Sequence, residues 1–186
     1  MNDDILKMKA ALLYVVSAFE GVDILRAFKI LYFANKEHLA LYGRPIIEDE
    51  FCALPNGPVP SKIYDAVKLA QGKISAFQTE EIKELANSIS TGGEDDLDYV
   101  IYGKQAPDMD ELSKSDVICL KKSIEENKGL SFKQLSDKSH DYAWDRAWKQ
   151  QPASKMDILD IARAAGVSNE MSEYIKEQSE INAILS

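Results

Sequence analysis

The side chains of this 186-residue chain best suited to chemistry are two histidines, two cysteines and the acidic run Glu48-Asp49-Glu50. A zinc site draws on several imidazole or thiolate ligands at close spacing. His38 and His140 each lack a cysteine or second histidine nearby in sequence. His38 sits on an apolar stretch near Asn35 and Tyr42, a setting for a hydrogen-bonded structural imidazole. Cys52 and Cys119 are far apart, each among apolar neighbours. They read as small buried hydrophobes in a reducing compartment, not as a disulfide or as nucleophiles paired with a distant histidine. Glu48-Asp49-Glu50 reads as solvated surface. Gly92-Gly93 lies among acidic residues, the wrong electrostatics for cradling a phosphate. The residues therefore point to no enzyme, no cofactor and no metal, and a functional reading rests on a binding surface.

Charge narrows the partners. Thirty-one Asp and Glu against 22 Lys and Arg leave a formal charge of −9. Nonspecific nucleic-acid affinity comes mainly from neutralising phosphates, so a negative field makes nucleic acid an unlikely partner and suits a basic protein. The acidic start Met1-Asn2-Asp3-Asp4 lacks the layout of a secretory signal, and no apolar run approaches the ~20 residues of a membrane span. The expected address is the cytoplasm, with no membrane contact. At this length, one globular domain over residues 1–186 is expected, with 150–186 as a C-terminal helical extension.

Stepping along the chain, Ile5, Met8, Leu12, Val15, Val16 and Phe19 recur at helical spacing, with Asp3 or Asp4 placed to cap the helix and Gly21 to end it. Asp23 caps a second helix through Ile24, Phe28 and Ile30-Leu31-Tyr32-Phe33. Four successive apolar residues point in four directions, so this helix should be surrounded on most sides and form the core, stopping at Gly43 and Pro45. Ile46–Leu54 suits an edge strand or hairpin arm, and Pro55-Asn56-Gly57-Pro58 forces a tight turn. Val59 or Ser61 opens a helix with Ile63, Tyr64, Val67 and Ala70 inward. Thr79 caps another, with Ile82, Leu85 and Ile89 inward. Asn87–Asp98 reads as a solvated acidic loop, and Tyr99–Tyr102 as a strand that pairs with the earlier one. Capping boxes at Ser113/Asp116 and Ser131/Gln134 open two later helices. Asp141 begins another, Ser154 with Asp157 restarts the chain after Pro152, and a last helix runs from about Asn169 with Met171, Tyr174, Ile175, Gln178 and Leu185 on one face. That face is placed to pack on its own domain or on a second copy, so a homodimer is open. The fold class is mainly α (α+β): a compact helical domain around a central apolar helix, with a small two- or three-stranded antiparallel sheet.

Two features outlast the bland readings. The Pro55–Tyr64 corner, with Pro55, Gly57, Pro58 and Tyr64, is a rigid joint that would lose little freedom on binding a partner. In His140-Asp141-Tyr142-Ala143-Trp144, the histidine sits at a helix entrance. Trp144 and Trp148, four apart, share a face, so one is expected to anchor the core while the other lies nearer the surface.

The order of Lys29-Ile30-Leu31-Tyr32-Phe33-Ala34, Gly43-Arg44-Pro45, Gly57-Pro58-Val59 with Tyr64, and His140 with Trp144 resembles the Panacea domain, the SocA-like antitoxin family. The similarity runs from about Ile24 to Trp148. It departs at Asn56, where an aromatic or basic residue commonly precedes the glycine, and the last two helices lie outside it. The resemblance implies an antitoxin module of a bacterial or phage-associated toxin–antitoxin system. Such a module neutralises a cognate toxin protein by direct binding, and in the SocA-like branch also acts as an adaptor to an ATP-dependent protease. The acidic stretch Glu80–Asp98 and the terminal helix are candidate binding surfaces. Two readings of another kind stand beside it. One is a phage-associated protein of other binding function. The other is a transcriptional regulator in which residues 131–140 and 141–149 form a helix-turn-helix, although Asp145 beside Arg146 and Lys149 suits phosphate poorly.

Overall fold

The computed structural model describes residues 3–75, 78–93 and 100–185. It is mainly helical with small antiparallel sheets, as the sequence pattern requires. Helix α1 (Asp3–Ser17) buries Met8, Leu12 and Val15, and holds Asp3 and Asp4 within its first turn, where carboxylates favour the helix dipole. A short strand β1 (Val22–Asp23) leads into α2 (Ile24–Tyr42). Asp23 caps α2 by accepting the Arg26 amide at 2.8 Å. Gly43 ends it in the left-handed conformation at φ +70° and donates its amide to Leu39. No side chain from Ala27 to Asn35 escapes burial, so α2 is enclosed on every side over that stretch. Burial of that kind obliges its polar residues to find partners inside the protein.

Strands β2 (Phe51–Leu54) and β3 (Gly57–Pro60) form a hairpin whose turn is only Pro55-Asn56, with Leu54 opposite Gly57 and Cys52 opposite Val59. The expected proline-rich corner between strand and helix is therefore a second strand folding back. The prolines fit because the strand faces alternate. Phe51 and Ala53 bond outward to the extended chain at 153–156, through Ala53 N to Ser154 O and Met156 N to Phe51 O. Cys52 and Leu54 then face β3, and Pro58 and Pro60 fall at positions that need no amide. Ser154 thus lies on the far edge of β2 and does not restart a helix; Asp157 does that alone.

Helix α3 (Ser61–Ala70) follows Pro60, which offers no side-chain cap. Asp49 supplies it from a distance, accepting the amides of Lys62 and Ile63, each at 3.0 Å. One residue of the acidic run is thereby buried in a structural role, while Glu48 and Glu50 stay exposed. Helix α4 (Glu80–Asn87) ends before Ile89, which begins strand β4 (Ile89–Gly92). The expected loop from Asn87 thus starts with a strand, and residues 94–98 of it lie outside the described residues. Strand β5 (Val100–Gly103) pairs with β4 and β1 in a sheet of order β1-β5-β4, separate from the β2–β3 hairpin that it was expected to join. Tyr99, the expected first residue of that strand, is likewise outside the described residues.

A 3-10 turn (Met109–Glu111) precedes α5 (Lys114–Asn127), then α6 (Phe132–Ser139), α7 (Tyr142–Gln150), α8 (Ile158–Ala164) and α9 (Asn169–Leu185). Both capping boxes form: Ser113 with Asp116, and Ser131 with Gln134. Met156, Ile161, Ala162 and Ile175 join the same buried core as α2. Replacing Asp49 by Ala should destabilise the protein by about 1–2 kcal/mol through loss of the α3 cap; urea unfolding of the two proteins measures it.

Candidate protein-binding site

Polar residues on a buried helix mark what that helix must hold. On α2 these are Lys29, Tyr32, Asn35, Lys36 and His38. Lys29 is fully buried and its ammonium donates to the Pro58 carbonyl of the hairpin at 2.7 Å. Burial pushes its pKa down to about 7. One turn on, the buried Tyr32 hydroxyl donates to Asp141 Oδ2 at 2.8 Å, and Lys36 Nζ reaches the same oxygen at 2.9 Å. Burial first, then the Asp141 charge, pushes the Tyr32 phenol upward, so the hydroxyl stays a donor. The other carboxylate oxygen of Asp141 accepts the amides of Ala143 and Trp144 at 3.0 and 3.1 Å. A single side chain therefore caps α7 and ties it to the core helix.

Asn35 fixes the chain after α2, its Oδ1 accepting from Ile46 and Ile47. His38 is buried between the Arg44 carbonyl at Nδ1 (2.8 Å) and Ser115 and Asp116 at Nε2 (2.9 and 3.1 Å). Burial lowers its pKa and favours the neutral ring.

The hairpin is gripped from the other side by α6 and α7. Trp144 Nε1 donates to Leu54 O at 2.9 Å, and Ser136 Oγ to Asn56 O at 3.3 Å. Gly57 lies where these parts meet. Its φ is +105°, and a Cβ there would stand 2.1 Å from Ser139 Oγ and 2.8 Å from Lys29 Cε. Only glycine satisfies both the conformation and the space. Above this clamp three rings stack: His140 on Trp144 at 3.7 Å and 14°, and Trp144 on Trp148 at 5.4 Å and 11°. The two tryptophans do not divide into a core anchor and a surface ring; both are half-buried, both pack against the core, and they share one face as a stacked pair. His140 Nε2 is buried and has no hydrogen-bond partner among the described residues.

Of the residues singled out in the sequence, Pro55 is exposed at the hairpin tip, Gly57 and Pro58 are buried beneath it, and His140 and Trp144 stand beside it. Tyr64 belongs to another neighbourhood, edge-on to Phe28 at 5.9 Å and under the Lys68 ammonium at 4.7 Å. Lys29, Tyr32, Lys36 and Asp141 were missed as a set. Their signal was present: Lys29, Tyr32 and Lys36 recur at i, i+3 and i+7 on a helix otherwise apolar, which draws a polar stripe down one face.

The remaining chemistry is subdued. Burial raises both thiols, Cys119 to about 11, and so disfavours a thiolate nucleophile. Among the described residues, no group of three or more His, Cys, Asp or Glu side chains is placed to hold a metal ion, and no helix is long and apolar enough to cross a membrane. On α7, the helix that would read DNA, Arg146 is paired with Asp160 and Lys149 with Asp145. Cations already neutralised have little to offer phosphate.

A buried core helix is thus locked to a glycine–proline hairpin and to a histidine–tryptophan helix. Residues 28–145 match the family described as antitoxin SocA-like, Panacea domain, and the chain belongs to that family. The matched segment begins on α2 and ends one residue past Trp144, so it encloses every clamp residue named above. Comparison with curated proteins and with solved structures returns no match.

Two measurements test the clamp. Asp141→Ala removes the α7 cap and strands the Tyr32 hydroxyl and Lys36 ammonium, and should cost about 3–5 kcal/mol. Adding Tyr32→Phe to it should then cost almost nothing, whereas Tyr32→Phe alone costs about 1–2 kcal/mol. The second test follows from Lys29. In the unfolded chain its pKa is about 10.4, so from pH ~7 upward to ~10.4 the unfolded state binds more protons and stability rises with pH. Below about 7 both states are protonated and this slope vanishes. Lys29→Met should flatten the rise between roughly pH 7 and 8.5, below the thiol titrations, in chemical-denaturation curves taken against pH.

Proposed function

We propose that this protein is an antitoxin that neutralises a cognate toxin protein by direct, non-covalent binding. One observation carries the reading: the match to the antitoxin family covers the segment in which the hairpin and the start of α7 are locked onto α2. Physical considerations support it. A loop that is rigid before binding loses little conformational freedom on forming a complex. Pro55 and Asn56 stand exposed at the tip, with His140, Trp144 and Trp148 half-exposed beside them, and aromatic groups of this kind are favoured anchors in protein interfaces. The residues proposed to line the contact are Pro55, His140 and Trp144, with Gly57 and Pro58 holding the turn. Tyr64 is a separate exposed ring on the neighbouring helix. The reading implies a soluble protein of a bacterial or phage-associated system acting in the cytoplasm.

The test is co-expression with the product of the adjacent gene. That product alone should arrest growth, and this protein should restore it. Asn56→Arg at the exposed tip should weaken the complex at least tenfold with an unchanged melting temperature. Growth restored equally by the variant would remove the hairpin tip from the contact. Neutralisation that survives deletion of the host's ATP-dependent proteases identifies occlusion; neutralisation lost in that strain identifies delivery for degradation.

A further inference from the structure

Helix α9 lies outside the segment matched to the family and is attached to the body along one narrow face. Of its described side chains only Ile175 is buried, with Met171 and Gln178 half-covered beside it. Its anchor is Gly43, the residue that ends α2. A Cβ there would sit 2.5 Å from the Tyr174 ring and 3.1 Å from Met171 Sδ. Tyr174 spans the rim, resting one side of its ring on Gly43 and staying 47% exposed. Beyond it Ile181 and Ile184 face outward, 46% and 83% exposed. At 100° per residue the three fall within roughly 80° of arc. Glu170, Glu173, Glu177 and Glu180 recur at i, i+3, i+7 and i+10 and occupy an overlapping sector of similar width. All four are exposed.

Carboxylates stacked three and four apart repel one another. On other helices several acidic residues are answered locally: Glu80 by Lys83, Glu125 by Lys128, Asp137 by Lys133 and Asp145 by Lys149. On α9 the cation within reach is Lys176, 3.9 Å from Glu180. Among the described residues no other ion pair reaches its glutamates, which stand next to aliphatic side chains left in water. Three occupants fit such a face badly. Nucleic acid and anionic lipid are repelled by it, and a second copy would oppose glutamate to glutamate.

We infer that the outer face of α9 is a docking surface for a basic protein, the toxin partner itself. The partner's lysines and arginines meet Glu173, Glu177 and Glu180, while an apolar groove takes Ile181 and Ile184. This inference rests on the antitoxin reading for the partner's identity, though the chemistry of the face stands apart from it. The mode is that of an amphipathic helix laid in a groove, with charge giving speed and selectivity.

Two arms on the full chain test it. In the first, a synthetic Leu/Lys amphipathic peptide is titrated into isotope-labelled protein at low salt. Amide shifts should concentrate on residues 173–184 and vanish in the E173K/E177K/E180K variant. In the second, the adjacent-gene product is titrated at about 50 and about 300 mM NaCl, where screening separates charge from packing. Wild-type affinity should fall at least tenfold with salt. The triple variant should bind at least tenfold more weakly at low salt, with its salt dependence flattened, and I181S/I184S should weaken binding at both salt concentrations. Circular dichroism melts of both variants confirm folding. Peptide shifts outside α9, or a triple variant that binds the toxin within twofold of wild type, would overturn the inference. So would a self-association of the chain abolished by I181S/I184S. If the adjacent-gene product neither binds nor is toxic while the peptide still maps to α9, the antitoxin reading fails and the basic-ligand face stands.

Discussion

Enclosing a helix on all sides forbids its polar side chains from turning to water, and the architecture of this protein follows from how that demand is met on α2. Its polar residues are answered by four different stretches of chain. Lys29 takes the hairpin, Tyr32 and Lys36 take the start of α7, Asn35 takes the segment after the helix, and His38 takes α5. In return, Ser123 of α5 donates to the Ile30 carbonyl at 2.8 Å. Apolar contact alone would let these segments slide, because hydrophobic burial has no direction. The hydrogen bonds are directional, and an unmade one in this interior is costly. They fix where each segment sits, and the hydrophobic core supplies the cohesion.

Much of this was legible in the residues. Caps announce themselves locally, so Asp23, Ser113, Ser131 and Asp141 were read correctly as helix starts, and the four-way apolar run at Ile30–Phe33 marked the core helix. The failures share a cause. Strands are defined by their partners, and a partner distant in sequence leaves no local trace. Gly57–Pro60 looked like a corner because prolines argue against a strand until the pairing shows that both occupy outward positions. Ile89 looked like the end of a helical stripe because its spacing from Leu85 suits either structure. Asp49 looked like solvated charge because its partners, the amides of Lys62 and Ile63, lie beyond a hairpin. The hairpin and the histidine–tryptophan helix could each be picked out as candidates, but their meeting through Asp141, Tyr32 and Leu54 is a fact of tertiary structure.

Rigidity at the candidate site has a physical origin in this arrangement. The hairpin tip is held beneath by Lys29, laterally by Ser136 and Trp144, and across β2 by the chain at 153–156. A surface braced from three directions presents one shape. Pro55, Asn56 and Trp148 are displayed around it, while Trp144 belongs to the bracing itself through its bond to the Leu54 carbonyl. The terminal helix differs in kind: it is held at Gly43 along a narrow face and leaves its row of glutamates in water.

The outward prolines of β3 carry one more consequence. A free sheet margin invites other extended chains to zip onto it, the first step of many fibrillar deposits. Here Pro58 and Pro60 present no amide hydrogen along that margin, the Pro58 carbonyl is already taken by an ammonium, and the opposite margin is closed by residues 153–156. Sheet extension has no foothold on this hairpin. It can be touched by a neighbour's side chains without being recruited into a neighbour's backbone.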